Sequence, residues 1–189
     1  GYADLARRIC GSFWRSACVR RAVAKRNYAL DILIHDEDDN VREAVAKQGY
    51  GLEKLVKDKN THVRAAVARQ KSGLKILVKD KDAYVRQIVA EQGYGLEKLI
   101  KDKSYIVRTE VAKQGFGLDI LANDNNSVVR EAVARQKYGL DVLVNDPHWE
   151  VRVAVAEQGY GLDILMNDED EDVRKAVESM LKKSKLEGE

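Results

Sequence analysis

Asp36-Glu37-Asp38-Asp39-Asn40-Val41-Arg42-Glu43-Ala44-Val45-Ala46-Lys47-Gln48-Gly49-Tyr50-Gly51-Leu52-Glu53-Lys54-Leu55-Val56-Lys57 is one turn of a sequence that returns to its start every 22 residues. Its Val41-Arg42 pair recurs in register as Val19-Arg20, Val63-Arg64, Val85-Arg86, Val107-Arg108, Val129-Arg130, Val151-Arg152 and Val173-Arg174, eight occurrences in all. A fixed period of this length marks an architecture in which each unit buries its apolar face only against its neighbours. The recurring positions build the stack, so function is to be sought in the positions that vary.

Within the unit, an Asp stands five residues before each Val-Arg from the second onward: Asp36, Asp58, Asp80, Asp102, Asp124, Asp146 and Asp168. An Asp that opens an amphipathic segment is an N-cap by type, because its carboxylate accepts a free amide of the first turn. Pro147, directly after Asp146, fits the first helical position. The expected helix A then runs over Glu37–Gln48. Gly49 follows where a left-handed residue ends a helix, as do Gly93, Gly115, Gly159 and Asn27, with Lys71 and Lys137 fitting less well. Val41, Val45 and Gln48 share one face, and Ala44 and Ala46 allow close approach of a neighbour. Leu52, Leu55 and Val56 keep helical spacing in a segment so short that it is expected to be part 3₁₀. Each repeat offers about five apolar core residues, each worth roughly 1.5–3 kcal/mol when buried. Ordering its backbone costs more than that, so a lone repeat does not fold and a stack does.

The string D-x-x-x-x-V-R-x-x-V/A-A, preceded by L-x-x-L-V, resembles the second helix of a HEAT repeat. The short period and stunted second helix are closer still to leucine-rich repeat variant proteins, and the resemblance covers roughly residues 19–180. It implies a right-handed superhelix of alternating α- and 3₁₀-helices. It also implies a hydrogen-bonded ladder between repeats, carried here by Asp58, Arg64, Asp80, Arg86, Asp102 and Arg108. The chain departs from the variant family in its single Pro. It also lacks the Cys-rich iron–sulfur segment of one member, so no cofactor is carried over.

The expected fold is therefore all-α: a right-handed α-solenoid of two-helix repeats. Residues 1–26 read as an N-terminal capping helix running into the first repeat, with Leu5, Ala6, Ile9, Phe13 and Ala17 on its apolar side and Arg7, Arg8, Arg15 and Arg21 elsewhere. Residues 19–172 read as seven repeats, and residues 173–189 as a C-terminal capping helix with a frayed tail. Two cysteines, Cys10 and Cys18, make no disulfide framework, which favours a reducing, cytoplasmic setting. No apolar run approaches the 18 or so residues of a bilayer span, so no membrane partner is expected. The chain starts at Gly1, not Met, as expected of a processed, tagged or excised piece. The net charge of +2 is unevenly spread. Residues 1–26 carry seven bases and one acid, and residues 27–40 five acids and no base. Residues 41–106 carry fifteen bases against eight acids, which leaves 107–189 at −6.

Chemistry-bearing patterns are weak. His35, His62 and His148 sit at different repeat positions and share no spacing with an acid or thiol, so no catalytic residue is assigned. The acid-rich stretches from Asp36 and Asp168 imitate calcium loops, but the sixth and twelfth places from Asp36 hold Val41 and Lys47, not Gly and Glu. No metal site is assigned. The glycines around Tyr50 follow no strand, so they mark turns and not a phosphate cradle. Tyr28, Tyr50, Tyr94, Phe116, Tyr138 and Tyr160, at the same turn, are expected to pack between repeats.

Two surfaces remain. Lys57, Lys59, Lys79, Lys81, Lys101 and Lys103 flank an Asp in three successive turns and would form a ridge suited to an acidic protein or a nucleic acid. On helix A, the positions opposite the Val stripe hold Tyr84, Tyr105, Ile106, Val128, Trp149 and Val153, an apolar strip of the kind that recognises partners. The expected function is a non-catalytic scaffold that binds a protein or peptide along the helix A face, the concave one in HEAT-like proteins. Nucleic-acid binding through Arg7, Arg8, Arg15 and the lysine ridge is the alternative. A HEAT-like enzyme, such as a DNA glycosylase or bilin lyase, is the third.

Modularity has a direct test. Deleting residues 85–106, one whole period, should leave a folded, shorter stack, whereas deleting eleven residues, half a period, should not. Circular dichroism per residue checks this; equal helical signals from the two deletions would contradict it.

Overall fold

A computed structural model of the chain describes residues 14–187. The described residues are all-helical, with fifteen helices and no strand. They alternate between a long helix, here A, and a single turn, here B. The helices fall into two compact units that divide after Gly95.

In the first unit, α1 (Ala17–Lys25), α3 (Asp39–Lys47), α5 (Thr61–Arg69) and α7 (Ala83–Glu91) are the A helices. The B turns α2 (Leu30–Leu33), α4 (Leu52–Leu55) and α6 (Leu74–Leu77) connect them. In the second unit the A helices are α9 (Tyr105–Lys113), α11 (Ser127–Arg135), α13 (Trp149–Glu157) and α15 (Glu171–Glu187). Its B turns are α8 (Leu96–Leu99), α10 (Leu118–Leu121), α12 (Leu140–Leu143) and α14 (Leu162–Leu165). Within each unit, successive A helices pack side by side, and each B turn packs against the A helix that follows. Both units are α-solenoid stacks.

The core follows the sequence period. In α3, Val41, Ala44, Val45 and Ala46 are buried, and Leu55 and Val56 close the repeat from the B side. The same places are filled by Val63, Ala66, Val67, Ala68, Leu77 and Val78 one repeat on. Alanine at two of these positions lets backbones approach closely, which is how a short helix reaches native packing density.

Helix A is shorter than the pattern predicts: Asp39–Lys47, nine residues, against the twelve of Glu37–Gln48. The N-cap is correspondingly two residues later than expected. Asp38, Asn60, Asp82 and Asn126 cap α3, α5, α7 and α11 by accepting an amide of the first turn. The recurring Asp is not the cap, because its carboxylate is already engaged: Asp36 accepts the Asp38 amide at 2.9 Å and a guanidinium from the preceding repeat. Pro147 likewise precedes the N-cap His148 of α13, outside the helix.

Helix A ends as predicted in form. Gly49 has φ +76°, its amide donates to the Ala46 carbonyl at 2.9 Å, and the Tyr50 amide donates to Val45 at 3.4 Å. This is the Schellman closure. The second glycine around Tyr50, read from the sequence as a turn residue, is as constrained. Gly51 has φ +60°, and a Cβ there would collide with the Ile34 side chain. B is a single α turn with 3₁₀ bonds at its edges: Val56 donates to Leu52, while Lys54 donates to Gly51 and Asp58 to Leu55.

The N-terminal capping helix expected from residue 1 lies outside the described residues up to Phe13, including Leu5, Arg7, Arg8 and Ile9. At the other end α15 runs for 17 residues to Glu187, where a frayed tail was expected from Lys182 onward. No Gly stands at its expected stop, and Lys175 pairs with Glu171 at 2.8 Å along it. Gly188 and Glu189 lie outside the described residues.

Lys71 and Lys137 hold the left-handed position at φ +54° and +59°, where Gly stands in other repeats. A left-handed conformation costs a residue with a Cβ about 1 kcal/mol or more. Lys71→Gly and Lys137→Gly should therefore each stabilise the fold by roughly that amount in a urea titration; a loss of stability would show that the lysine side chains hold the turn instead.

Candidate functional site

The Arg of each Val-Arg pair lies in the first turn of helix A and turns back under its N-terminus. Arg64 is a complete example. Its Nε and Nη2 donate to the two Asp80 carboxylate oxygens at 2.6 and 2.9 Å. Its Nη1 donates to the backbone carbonyls of Asp58 and Lys59 at 2.8 and 3.2 Å. Asp80 Oδ1 also accepts the Asp82 amide at 2.9 Å. One guanidinium thus fastens the loop before its own helix to the loop before the next.

The same bidentate pair forms between Arg20 and Asp36, Arg42 and Asp58, Arg108 and Asp124, Arg130 and Asp146, and Arg152 and Asp168. In each of these pairs the Asp stands 16 residues after the Arg. Within one motif the contact is to main chain: Arg64, Arg86 and Arg108 donate to the carbonyls of Asp58, Asp80 and Asp102. Asp102 Oδ1 accepts the Ser104 amide at 2.9 Å.

Burial alone would raise the carboxyl pKa of Asp58, Asp80 and Asp124, but hydrogen bonds from Arg42, Arg64 and Arg108, with a backbone amide each, hold all three below the ordinary value. At Asp168 the Arg152 hydrogen bonds are the largest influence and the direction is the same. A depressed folded-state pKa contributes stability above the unfolded carboxylate value of about 3.9, and that stability is lost as pH falls through the folded value.

The helix A face differs between the units. In the first unit the first turns of α3 and α5 are polar, Asp39-Asn40 and Thr61-His62, and each bonds to the N-cap of the next helix. Asn60 donates to Asp39, and Thr61 Oγ1 donates to Asp82 at 3.0 Å. Tyr84 is half-buried; its hydroxyl accepts from Arg69 at 2.6 Å, the Arg69 guanidinium lies 5.5 Å from its ring, and His62 meets it edge-on. Tyr84 is thus committed to internal contacts.

In the second unit the same turns carry Tyr105 and Ile106 on α9, Val128 on α11 and Trp149 on α13, each 39–43% exposed. Val153, one turn further along α13, is half-buried. Four of the six strip residues thus stand exposed in the first turns of three successive A helices of one unit.

The lysines are also exposed: Lys57, Lys59, Lys79 and Lys81 in the first unit, Lys101 and Lys103 in the second. The aspartates between the first two pairs face inward and make their ion pairs with Arg42 and Arg64. Of the basic residues expected beside the ridge, Arg15 is exposed, and Arg7 and Arg8 lie outside the described residues. Tyr28, Tyr50, Tyr94, Phe116, Tyr138 and Tyr160 are exposed as well, more so than inter-repeat packing predicts.

Sequence reasoning passed over Ile76, Ile120, Val142 and Ile164, the third residues of their B turns, all more than half exposed. The signal was available: Lys54 and Lys98 occupy the same place in α4 and α8, which marks it as open to water. No group of three or more His, Cys, Asp or Glu among the described residues is arranged to hold a metal. Among them, too, no helix is long and apolar enough to cross a membrane.

No protein-family model matches the chain, and no curated protein is detectably similar to it.

Arg64→Ala should destabilise the fold by about 3 kcal/mol, because it leaves the Asp80 carboxylate buried without its guanidinium. Lys59→Ala should cost under about 1 kcal/mol, as an exposed charge does. Urea titration compares them, and equal losses would contradict a structural ladder. The same titration across pH should show stability level above about pH 5 and declining below about pH 4. A decline centred near neutrality would contradict the assignment.

Proposed function

We propose that this chain is a non-catalytic scaffold that binds a protein or peptide segment through the helix A face of its second unit. The observation that carries the proposal is the exposure of Tyr105, Ile106, Val128 and Trp149 on neighbouring first turns. The equivalent places in α3 and α5 are the polar Asp39, Asn40, Thr61 and His62, with Asp39 and Thr61 bonded to the N-caps Asn60 and Asp82 of the next helices. A stack satisfied with Asn, Thr and His at these places has no structural need of Trp and Tyr. Clustered exposed aromatic and aliphatic side chains are the composition of interface cores.

Trp149 is the anchor, being a large side chain fixed on the first turn of a rigid helix. The partner supplies an apolar patch that reaches three adjacent repeats. The leucine-rich repeat variant and HEAT-like resemblance supports a binding role of this kind.

A second reading rests on the lysines. Because Asp58 and Asp80 make their ion pairs with arginines, the first unit presents Lys57, Lys59, Lys79 and Lys81 exposed and with no direct bond to those carboxylates. A polyanion, such as a nucleic-acid backbone, would bind there with a steep dependence on salt.

The test is selection of peptides from a displayed random library on the wild-type chain, followed by affinity measurement against Trp149→Ala. Truncating a true anchor costs about 2 kcal/mol or more, so the selected peptides should bind the variant roughly thirtyfold more weakly, with unchanged helical signal. Equal affinity for both proteins would overturn the assignment of the strip.

A further inference from the structure

The B turns of the second unit carry a surface separate from the helix A strip. In α10, α12 and α14 the third residue is Ile120, Val142 and Ile164, each 53–60% exposed. The residue before each is an exposed aspartate: Asp119, Asp141 and Asp163. Three successive repeats thus present one acid–aliphatic pair at one place on the same one-turn helix.

The earlier B turns from α4 onward do not repeat it. The pair is Glu53-Lys54 in α4, Lys75-Ile76 in α6 and Glu97-Lys98 in α8. The next turn changes in step. It begins with Lys57, Lys79 and Lys101 after α4, α6 and α8, and with Asn123, Asn145 and Asn167 after α10, α12 and α14. Wherever the Asp–aliphatic pair stands, the lysine that would offset it is absent.

Packing does not demand this pattern. The B turns bury their second leucine, as at Leu121, Leu143 and Leu165, and the third position accepts lysine elsewhere in the chain. A repeated, exposed aliphatic row edged by carboxylates is a surface arranged to be covered.

We infer that this face docks a basic amphipathic helix of a partner protein, with its aliphatic stripe on Ile120, Val142 and Ile164 and its lysines or arginines on Asp119, Asp141 and Asp163. The sign of the charge selects a cationic partner. The spacing selects a helix: packed neighbouring elements lie about 8–10 Å apart, and a helix advances about 10.5 Å in seven residues. Side chains at heptad spacing on one straight partner helix therefore meet successive repeats, and roughly 18 residues reach all three.

The probe is a labelled synthetic peptide of three heptads with leucine at heptad spacing and lysine beside it, titrated into the full chain by fluorescence anisotropy. Its controls are a scrambled peptide of the same composition and a heptad peptide with glutamate in place of lysine. The heptad lysine peptide should bind at least tenfold more tightly than either control. Its affinity should fall at least tenfold between about 0.05 and 0.5 M salt, as charge screening requires.

Two variants strike different parts of the face: Asp119→Lys with Asp141→Lys and Asp163→Lys, and Ile120→Ser with Val142→Ser and Ile164→Ser. Each should weaken binding tenfold or more. All six side chains are exposed, so the helical signal of both variants should match the wild type. Trp149→Ala should bind the peptide as the wild type does. No measurable binding, equal binding of the scrambled peptide, indifference to both triple variants, or loss of binding in Trp149→Ala would each overturn the inference.

Discussion

The stack depends on one guanidinium per repeat. A 22-residue unit with a nine-residue helix and a single extra turn has too little apolar surface to fix its neighbour by burial alone. The Arg of the Val-Arg pair supplies what burial lacks, which is direction. Its planar fork matches a carboxylate with two parallel bonds, and its remaining nitrogen holds main-chain carbonyls of the loop before its own helix. Lysine could match the charge but not the three-way geometry. Because the Asp also accepts a backbone amide two residues on, the bridge sets the start of the next helix as well as its distance.

That arrangement explains why the helix cap lies two residues later than the recurring Asp. The most regular acid in the sequence is consumed by the link between repeats, and capping passes to a position where Asp, Asn, Ser and His all occur. It also explains how the chain tolerates so much surface variation. With register fixed by Arg and Asp and spacing fixed by Ala and Val, the first turn of helix A and the third place of the B turn are free to differ. In α3 and α5 of the first unit the helix A places carry polar side chains, of which Asp39 and Thr61 bond to the next helix's N-cap. In the second they carry Tyr105, Ile106, Val128 and Trp149, exposed.

Much of the fold was legible because it is periodic. Eight Val-Arg pairs gave the unit, Gly49 and its equivalents gave the helix end, and the Val stripe gave the buried face. What the period could not reveal was pairing. Asp58 and Arg64 belong to one motif in the sequence, yet the carboxylate of Asp58 reaches back to Arg42, since the partner is decided by which loop lies above which. The helix A strip was visible by phase, but phase does not report neighbours. Tyr84 shares its phase with Ile106 and is held by Arg69 and His62. The exposed Ile120, Val142 and Ile164 were passed over because the B segment was read for its core places, Leu52, Leu55 and Val56, although Lys54 and Lys98 mark the third place as open to water.

The claim that the guanidinium bridge, and not generic burial, specifies the stack is tested most directly by a double-mutant cycle on Arg64 and Asp80. Arg64→Ala, Asp80→Ala and the double variant would be unfolded in urea beside the wild type. A bridge of this kind predicts a coupling energy of about 2 kcal/mol or more, within the range found for residues in direct contact. A coupling under about 0.5 kcal/mol, as expected for independent sites, would contradict it.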